Sequence, residues 1–438
     1  MFSIFCCSRD RSLDLLHLPS RVERRQTDDD RRLTTHSIEI MRRIFDALLR
    51  IFLFNTLFLE SVLSLPNKSA SVAKSLTGQL QRCVTPREVL RDVGRKINEE
   101  SDPLGVVASL VLVRLCKQFI HQDNIGDIPL LEPSDQKALQ GVIQNLCFRD
   151  WQALAASENI DSVVEGTKAA AVLSRILNDF VEPETWRPLH AKWVEFSEMN
   201  CQNENILDAN HLSGLEWASA CFMLNDSAWK LPPKLQKAYD DLELPFRINV
   251  ACLNNLDLSV QMLESQVDFK VEEIRTQTNK IVKERRQTAW QGDDEVSPFE
   301  YSGKSMQRQP WSPIVRAIRD QLTEQTGEYY EGCLLNLYPD GGSGMRYHID
   351  PDQGKLWGVE TAVVSVGATR RFSFRRIPGL DSNRDIIAEA RPHSFYVMHS
   401  DVTEMFGHCQ EQFQHMVKTA ESKDEKAARS SLVFKKVL

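Results

Sequence analysis

Apolar positions fall with two different periods along this chain, and the change comes near residue 245. From about residue 70 to that point they recur at helical spacing, in runs such as LGVVASLVLVRLCKQFI (104–120) and VVEGTKAAAVLSRIL (163–177), separated by polar or Pro-containing stretches. These predict several helices packed as a bundle or irregular solenoid, with no fixed-period repeat. Thr85-Pro86-Arg87-Glu88 reads as a capping box with Pro at the first helical position. Pro232-Pro233 marks the end of the helical region. After it the period falls to two: CLLNLY (333–338), TAVVSVG (361–367), RFSFR (371–375), SFYVM (394–398) and SSLVF (430–434) predict strands. One helix interrupts them, opened by Ser312-Pro313, carried by Ile314, Val315, Ile318 and Leu322, and ended by Gly327. Upstream, Ile44 to Leu65 is strongly apolar, but Asp46, Arg50, Asn55 and Glu60 break it. A packed helix is expected there rather than a bilayer span, with a membrane-surface helix left open. The first 43 residues hold many arginines, no lysine and the run Asp28 to Asp30, which predicts a disordered tail rather than a transit peptide.

Chemistry concentrates in NLYPDGGSGMRYHID (336–350). Alternate side chains of a strand share a face, so His348 and Asp350 can converge on one ion while Ile349 points away. With a distant second imidazole they would form the facial triad of a non-haem Fe(II) site, which leaves positions open for co-substrate and O2. Asn336 and Tyr338 share a face in the same way, and Gly341, Gly342 and Gly344 allow a tight reversal between the two strands. Near the end of the chain, RSSLVFKK puts Arg429, Ser431, Val433 and Lys435 on one face, opposite Leu432 and Phe434. Two cations on one face suit a dicarboxylate, Arg as a bidentate fork and Lys as a point charge.

These segments resemble the AlkB family of Fe(II)- and 2-oxoglutarate-dependent dioxygenases, from about Arg285 to Leu438. RRQTAWQGD, FEYSGKSM, QPWSPIVRAIRDQL, LLNLYPDG, RYHID, TAVVSVGATRRFSF, FQHMVK and RSSLVFK follow in the family's order. The nearest likeness is to the members that repair alkylated bases. The resemblance implies Fe(II), 2-oxoglutarate and O2 as cofactor and co-substrates, with His348, Asp350 and a second histidine as metal ligands. His415, in CQEQFQHMVK, is preferred for that place over His408, which also follows an aromatic residue, Phe406, at two positions. Asn336, Tyr338, Arg429 and Lys435 would hold 2-oxoglutarate, with Arg429 on its distal carboxylate. Lys435 stands where the family commonly has Arg, and Ser431 where it often has Asn. Tyr301 would stack on the substrate base, with Trp290 a second candidate, and Asp352 would contact an exocyclic amino group.

The expected fold class is α+β: a C-terminal double-stranded β-helix, or jelly roll, preceded by an all-α domain. Expected boundaries are a tail at 1–43, a helical domain at 44–245, a connector at 246–284 and the oxygenase domain at 285–438. The expected reaction is oxidative demethylation of N-alkylated bases in DNA or RNA, releasing formaldehyde, succinate and CO2. A protein side-chain hydroxylase or demethylase on the same core, and a catalytically weak interaction protein, are the alternatives. Composition adds that the 438 residues, 42% apolar and 26% charged, are globular. The net charge of −8 leaves nucleic-acid contact to a local patch, for which RRFSFRR offers Arg370, Arg371, Arg375 and Arg376. Ten cysteines without a CxxC pair read as reduced thiols. An intracellular location follows, in nucleus or cytoplasm with an organelle left open, without integral membrane insertion. The helical half is expected to offer a surface to a protein partner.

Overall fold

The computed structural model describes residues 67–99, 105–126, 128–147, 160–200, 207–226, 229–253, 255–275, 279–377, 391–420 and 425–438. The tail at 1–43 and the apolar segment at 44–65 lie outside them. Among the described residues no helix is long and apolar enough to cross a membrane.

Helices come first: α1 (Asn67–Leu80), α2 (Gly105–Ile125), α3 (Pro133–Cys147), α4 (Ile160–Ile176), α5 (Arg187–Asn200), α6 (Ala209–Met223) and α7 (Pro233–Asp240). The Thr85 capping box forms, with Thr85 Oγ1 accepting from the Glu88 amide and the Glu88 carboxylate accepting from the Thr85 amide. α4 is buried almost throughout, as its run of alanines and valines requires.

The strands form two larger antiparallel sheets. β1 (Phe246–Asn249), β4 (Gln287–Gly292), β7 (Gly332–Tyr338), β9 (Trp357–Gly367), β12 (Val402–Met405) and β14 (Arg429–Val437) make a six-stranded sheet ordered β1-β12-β9-β14-β7-β4. β8 (Met345–His348), β10 (Arg370–Arg376), β11 (His393–Val397) and β13 (Phe413–Val417) make a four-stranded sheet ordered β11-β10-β13-β8. β2 (Glu273–Arg275) pairs with β3 (Ile281–Lys283), and β5 (Phe299–Tyr301) with β6 (Lys304–Met306).

The segment 246–284 is more than a connector, since β1 closes one edge of the large sheet by pairing with β12. Three further helices are α8 (Val260–Gln266), α9 (Pro313–Thr326) and α10 (Cys409–Gln412). α9 has Ser312 at its N-cap position and ends on Gly327 at φ 74°, a left-handed position that glycine takes without strain. Its apolar stripe packs on the outer face of the large sheet, where Ile314, Val315, Ile318 and Leu322 meet Leu335, Leu337, Val364, Leu432 and Phe434.

The two larger sheets face each other, as the stacked rings of Phe246 and Phe374 show with centroids 3.9 Å apart. The glycine-rich loop 339–344 therefore does not close a hairpin. It carries the chain from β7 in one sheet to β8 in the other. Gly344 is required there, because a Cβ would lie 2.8 Å from the Val417 carbonyl oxygen.

The helices pack against the outer face of the four-stranded sheet at Arg371, 3.7 Å from Glu165 of α4, and are tied to its β11 edge and to the loop before β12. Ser213 of α6 hydrogen-bonds His393 at 2.8 Å, and Arg175 of α4 forks onto Asp401 at 2.8 and 3.0 Å. Phe372 and Phe374 point into the space between the sheets, as their alternation predicts. The arginine patch is altered by the helical cover: Arg370 is buried against Glu425, and Arg371 donates to the Tyr396 hydroxyl at 2.6 Å.

Candidate active site

Between the sheets lies a cavity of about 660 Å³, lined among others by Tyr301, Asn336, Tyr338, His348, Asp350 and His415. Sheet pairing assembles it. β13 runs antiparallel to β8 and sets His415 directly opposite His348, with ring centroids 4.3 Å apart. Asp350 follows β8 by two residues. Its Oδ1 lies 3.6 Å from His348 Nε2 and 3.7 Å from His415 Nε2, and ligand atoms of all three residues lie within 4.8 Å of one another. His408 is elsewhere: its side chain is 73% exposed and bonds Glu411.

The donor set fits a divalent metal such as Fe(II), with two imidazoles and one carboxylate on one side. His348 Nδ1 donates to the Arg346 carbonyl at 2.8 Å, so Nε2 keeps its lone pair toward the cluster. Burial, then the neighbouring His348, pushes His415 down to about 3, which keeps its imidazole neutral. Burial also lowers His348, against the pull of Asp350. For Asp350, burial works against ionisation, but Lys435 and the two histidines outweigh it and hold the carboxyl well below the usual range.

β14 brings its odd-numbered residues to the inner face. Ser431 lies beside Asn336 on β7, and Arg429 beside Tyr338. Arg429 is fully enclosed and sits off the open wall, its guanidinium carbon 5.7 Å from the Tyr338 ring centre. Its Nη2 donates to Ser365 Oγ at 2.9 Å. Nε and Nη1 of Arg429, together with Asn336 Oδ1, have no hydrogen-bond partner among the described residues. Burial, with Arg370 adding to it, lowers the Arg429 guanidinium to about 10. A buried cation with two open donors calls for an anion, and a 2-oxoglutarate carboxylate fits that need.

Lys435 does not open onto the cavity. Its Nζ donates to Asp350 Oδ2 at 2.8 Å and to Gln353 Oε1 at 3.0 Å, so it braces that carboxylate. Tyr301 lines the cavity, its hydroxyl donating to Glu284 at 2.9 Å and its ring flanked by Arg286 and Lys304 at 5.4 and 5.0 Å. Trp290 does not reach the cavity. It is fully buried in an aromatic cluster with Phe299 and Trp357, and its Nε1 donates to the Ser297 carbonyl. Asp352 is also absent from the lining. It occupies a turn at φ 55° whose carbonyl accepts the amides of Lys355, Leu356 and Trp357.

Sequence reasoning missed the polar support around these residues. Glu284 and Lys304 are both buried and joined at 3.2 Å, with Lys304 also donating to Thr288. Gln410 accepts from the Asp350 amide at 3.0 Å and turns its own amide toward that carboxylate. A lysine on the inner face of a three-residue strand was the one available signal, and β6 is too short to show its period.

Residues 253–435 match the family described as the 2OG-Fe(II) oxygenase superfamily. An uncharacterized protein of Acanthamoeba polyphaga mimivirus is 30% identical over 186 residues, 42% of this chain and 89% of that protein. The human alpha-ketoglutarate-dependent dioxygenase alkB homolog 3 is 31% identical over 133 residues, 30% of this chain and 45% of the relative. The chain belongs to the AlkB family of 2-oxoglutarate- and Fe(II)-dependent oxygenases. AlkB-family chemistry is that of a dioxygenase drawing on Fe(II), 2-oxoglutarate and O2. The mouse DNA oxidative demethylase ALKBH2 is 34% identical over 90 residues, 20% of this chain and 37% of that AlkB relative. The chain thus spans less than half the length of these two named relatives.

Proposed function

We propose that the chain oxidatively demethylates N-alkylated bases in nucleic acid, DNA first, with His348, Asp350 and His415 as Fe(II) ligands. One observation carries the reading: the three ligand atoms converge at the wall of a cavity that the ring of Tyr301 also lines. Bound Fe(II), with 2-oxoglutarate and O2, supplies oxidation of an N-methyl C–H bond, the co-substrate leaving as succinate and CO2 and the methyl carbon as formaldehyde. Tyr338 and Arg429 take the far carboxylate of 2-oxoglutarate, and Asn336 offers an amide to it. Lys435 and Gln410 hold Asp350 ionised and oriented. Tyr301, fixed through Glu284, presents a flat surface for a base drawn out of its stack. The two facing sheets are read as the double-stranded β-helix, with the helices at 67–240 as its outer support. The relatives' printed names, a dioxygenase and a DNA oxidative demethylase, support the same reaction class.

The test is formaldehyde and succinate release from oligonucleotides carrying 1-methyladenine or 3-methylcytosine, with Fe(II) and 2-oxoglutarate present. Equal amounts of both products, lost in His348→Ala, are expected. Succinate without methyl loss from any oligonucleotide would refute the substrate assignment.

A further inference from the structure

A second cavity lies on the other face of the four-stranded sheet. It measures about 340 Å³ and is lined by Arg114, Lys117 and His121 of α2, and by Arg370, Arg371 and Glu425. The three α2 residues recur at spacings of three and four, so one helix face carries them all. β10 and β13 divide the two cavities: Phe372 and Val417 line the first, whereas Arg371 and Thr419 line the second.

The carboxylate in this lining is already engaged. Glu425 accepts from Arg370 and from Asn124 at 2.8 Å, and lies 3.7 Å from His121 Nδ1. Arg371 is directed to Tyr396 and Glu165. Arg114 differs, since its Nη2 donates to the Cys83 carbonyl at 2.7 Å and no carboxylate pairs with it among the described residues. Nε of Arg114, Nε of the 3%-exposed Arg370, and the amide oxygens of Gln118 and Gln122 are buried without hydrogen-bond partners among those residues. Each such group is costly if left unsatisfied, and these gather around one cavity. Water can satisfy the amides but cannot neutralise the surplus positive charge.

We propose that this cavity binds a small phosphate-bearing anion, clamped between Arg114 of the helical layer and Arg370 of the four-stranded sheet. Guanidinium groups match phosphate oxygens in geometry and charge, and the glutamine amides suit the hydroxyl-bearing remainder of such a ligand. The volume is at the lower end of the roughly 300–1,000 Å³ typical of small-molecule pockets. A ligand held from both sides would stabilise the docking of helices on sheet.

The experiment is thermal unfolding of the full chain in inorganic phosphate and pyrophosphate, against sodium chloride at equal ionic strength. A saturable rise in Tm is expected for the unaltered protein. Arg114→Gln should weaken the phosphate response by roughly tenfold or more, and Arg114→Lys by less. Both variants should keep the Tm rise produced by 2-oxoglutarate, so failure here is distinguishable from failure of the active-site reading. No response beyond that of chloride, or an undiminished response in Arg114→Gln, would overturn the assignment and leave a hydrated cavity. A response to oligonucleotide but to neither phosphate compound would overturn it in favour of a backbone-phosphate contact.

Discussion

Replacing Arg429 by Met tests the co-substrate end of the site through two opposed effects. The guanidinium is fully buried, bonded once to Ser365, with Nε and Nη1 open. If both open donors meet a carboxylate, each charge-assisted bond contributes about 1.5–3 kcal/mol, so their loss costs about 3–6 kcal/mol. That corresponds to a roughly 10²- to 10⁴-fold weaker affinity for 2-oxoglutarate. Without ligand the same change removes an unneutralised buried charge and one hydrogen bond worth about 1 kcal/mol, so stability should hold or rise. Thermal unfolding across a 2-oxoglutarate titration measures both. At a ligand concentration about 100 times its Kd, the unaltered protein gains about 2.7 kcal/mol, and Arg429→Met at that concentration gains at most about 0.4 kcal/mol. An unchanged titration curve would refute the placement of the carboxylate. A ligand-free variant destabilised by several kcal/mol would show that Arg429 serves the core instead.

Further outcomes follow from the same geometry. Mn(II), added anaerobically in place of Fe(II), should raise Tm in the unaltered protein and in His408→Ala but not in His415→Ala; the reverse pattern would exchange the two histidines. Arg175→Met strands the fully buried Asp401 carboxylate, which also accepts the amides of Ala251 and Met398, and should cost about 3–5 kcal/mol in urea unfolding. A loss below about 1 kcal/mol would mean that the helices are docked by other contacts. His393, pushed down to about 4 by burial, should contribute stability that is full above pH 6.5, its unfolded value, and is lost as pH falls through that value toward 4. His393→Gln should reduce the slope of urea-unfolding stability across that range, leaving the share due to His415 and His348, and an unchanged slope would sink the point.

Most of the candidate site residues were legible because they sit on strands whose period survives in the sequence. In β14 the alternation of Arg429, Ser431, Val433 and Lys435 with Ser430, Leu432 and Phe434 assigns the inner face without any structure. What each inner residue touches was not legible. Lys435 and Arg429 share a face, but register puts Lys435 beside Thr361 and within reach of Asp350, whereas Arg429 lies beside Tyr338. The structure places Trp290 and Asp352 away from the cavity lining for a related reason. β4 is buried on both faces, so its sequence alone does not say which side is core, and the chain turns at Asp352 before its side chain can reach the cavity.

The helical half looked silent because its task is written in another segment. β10 alternates as predicted, and on the face opposite Phe372 and Phe374 Arg371 meets Glu165 of α4 as well as Tyr396, while Arg375 stays exposed. A polar sheet face can be covered only if the covering layer satisfies it, since an unpaired buried polar group costs as much as several good apolar contacts return. Glu165 of α4 meets that condition at Arg371 on the outer face, while Ser213 on His393, Arg175 on Asp401 and Asn124 on Glu425 tie the helices to the β11 edge and to loops beside the sheet. Polar pairs of fixed geometry admit fewer docking registers than an apolar face would. The helices are therefore held to one position behind β10 and β13, the strands that carry Phe372 and His415 into the active-site cavity.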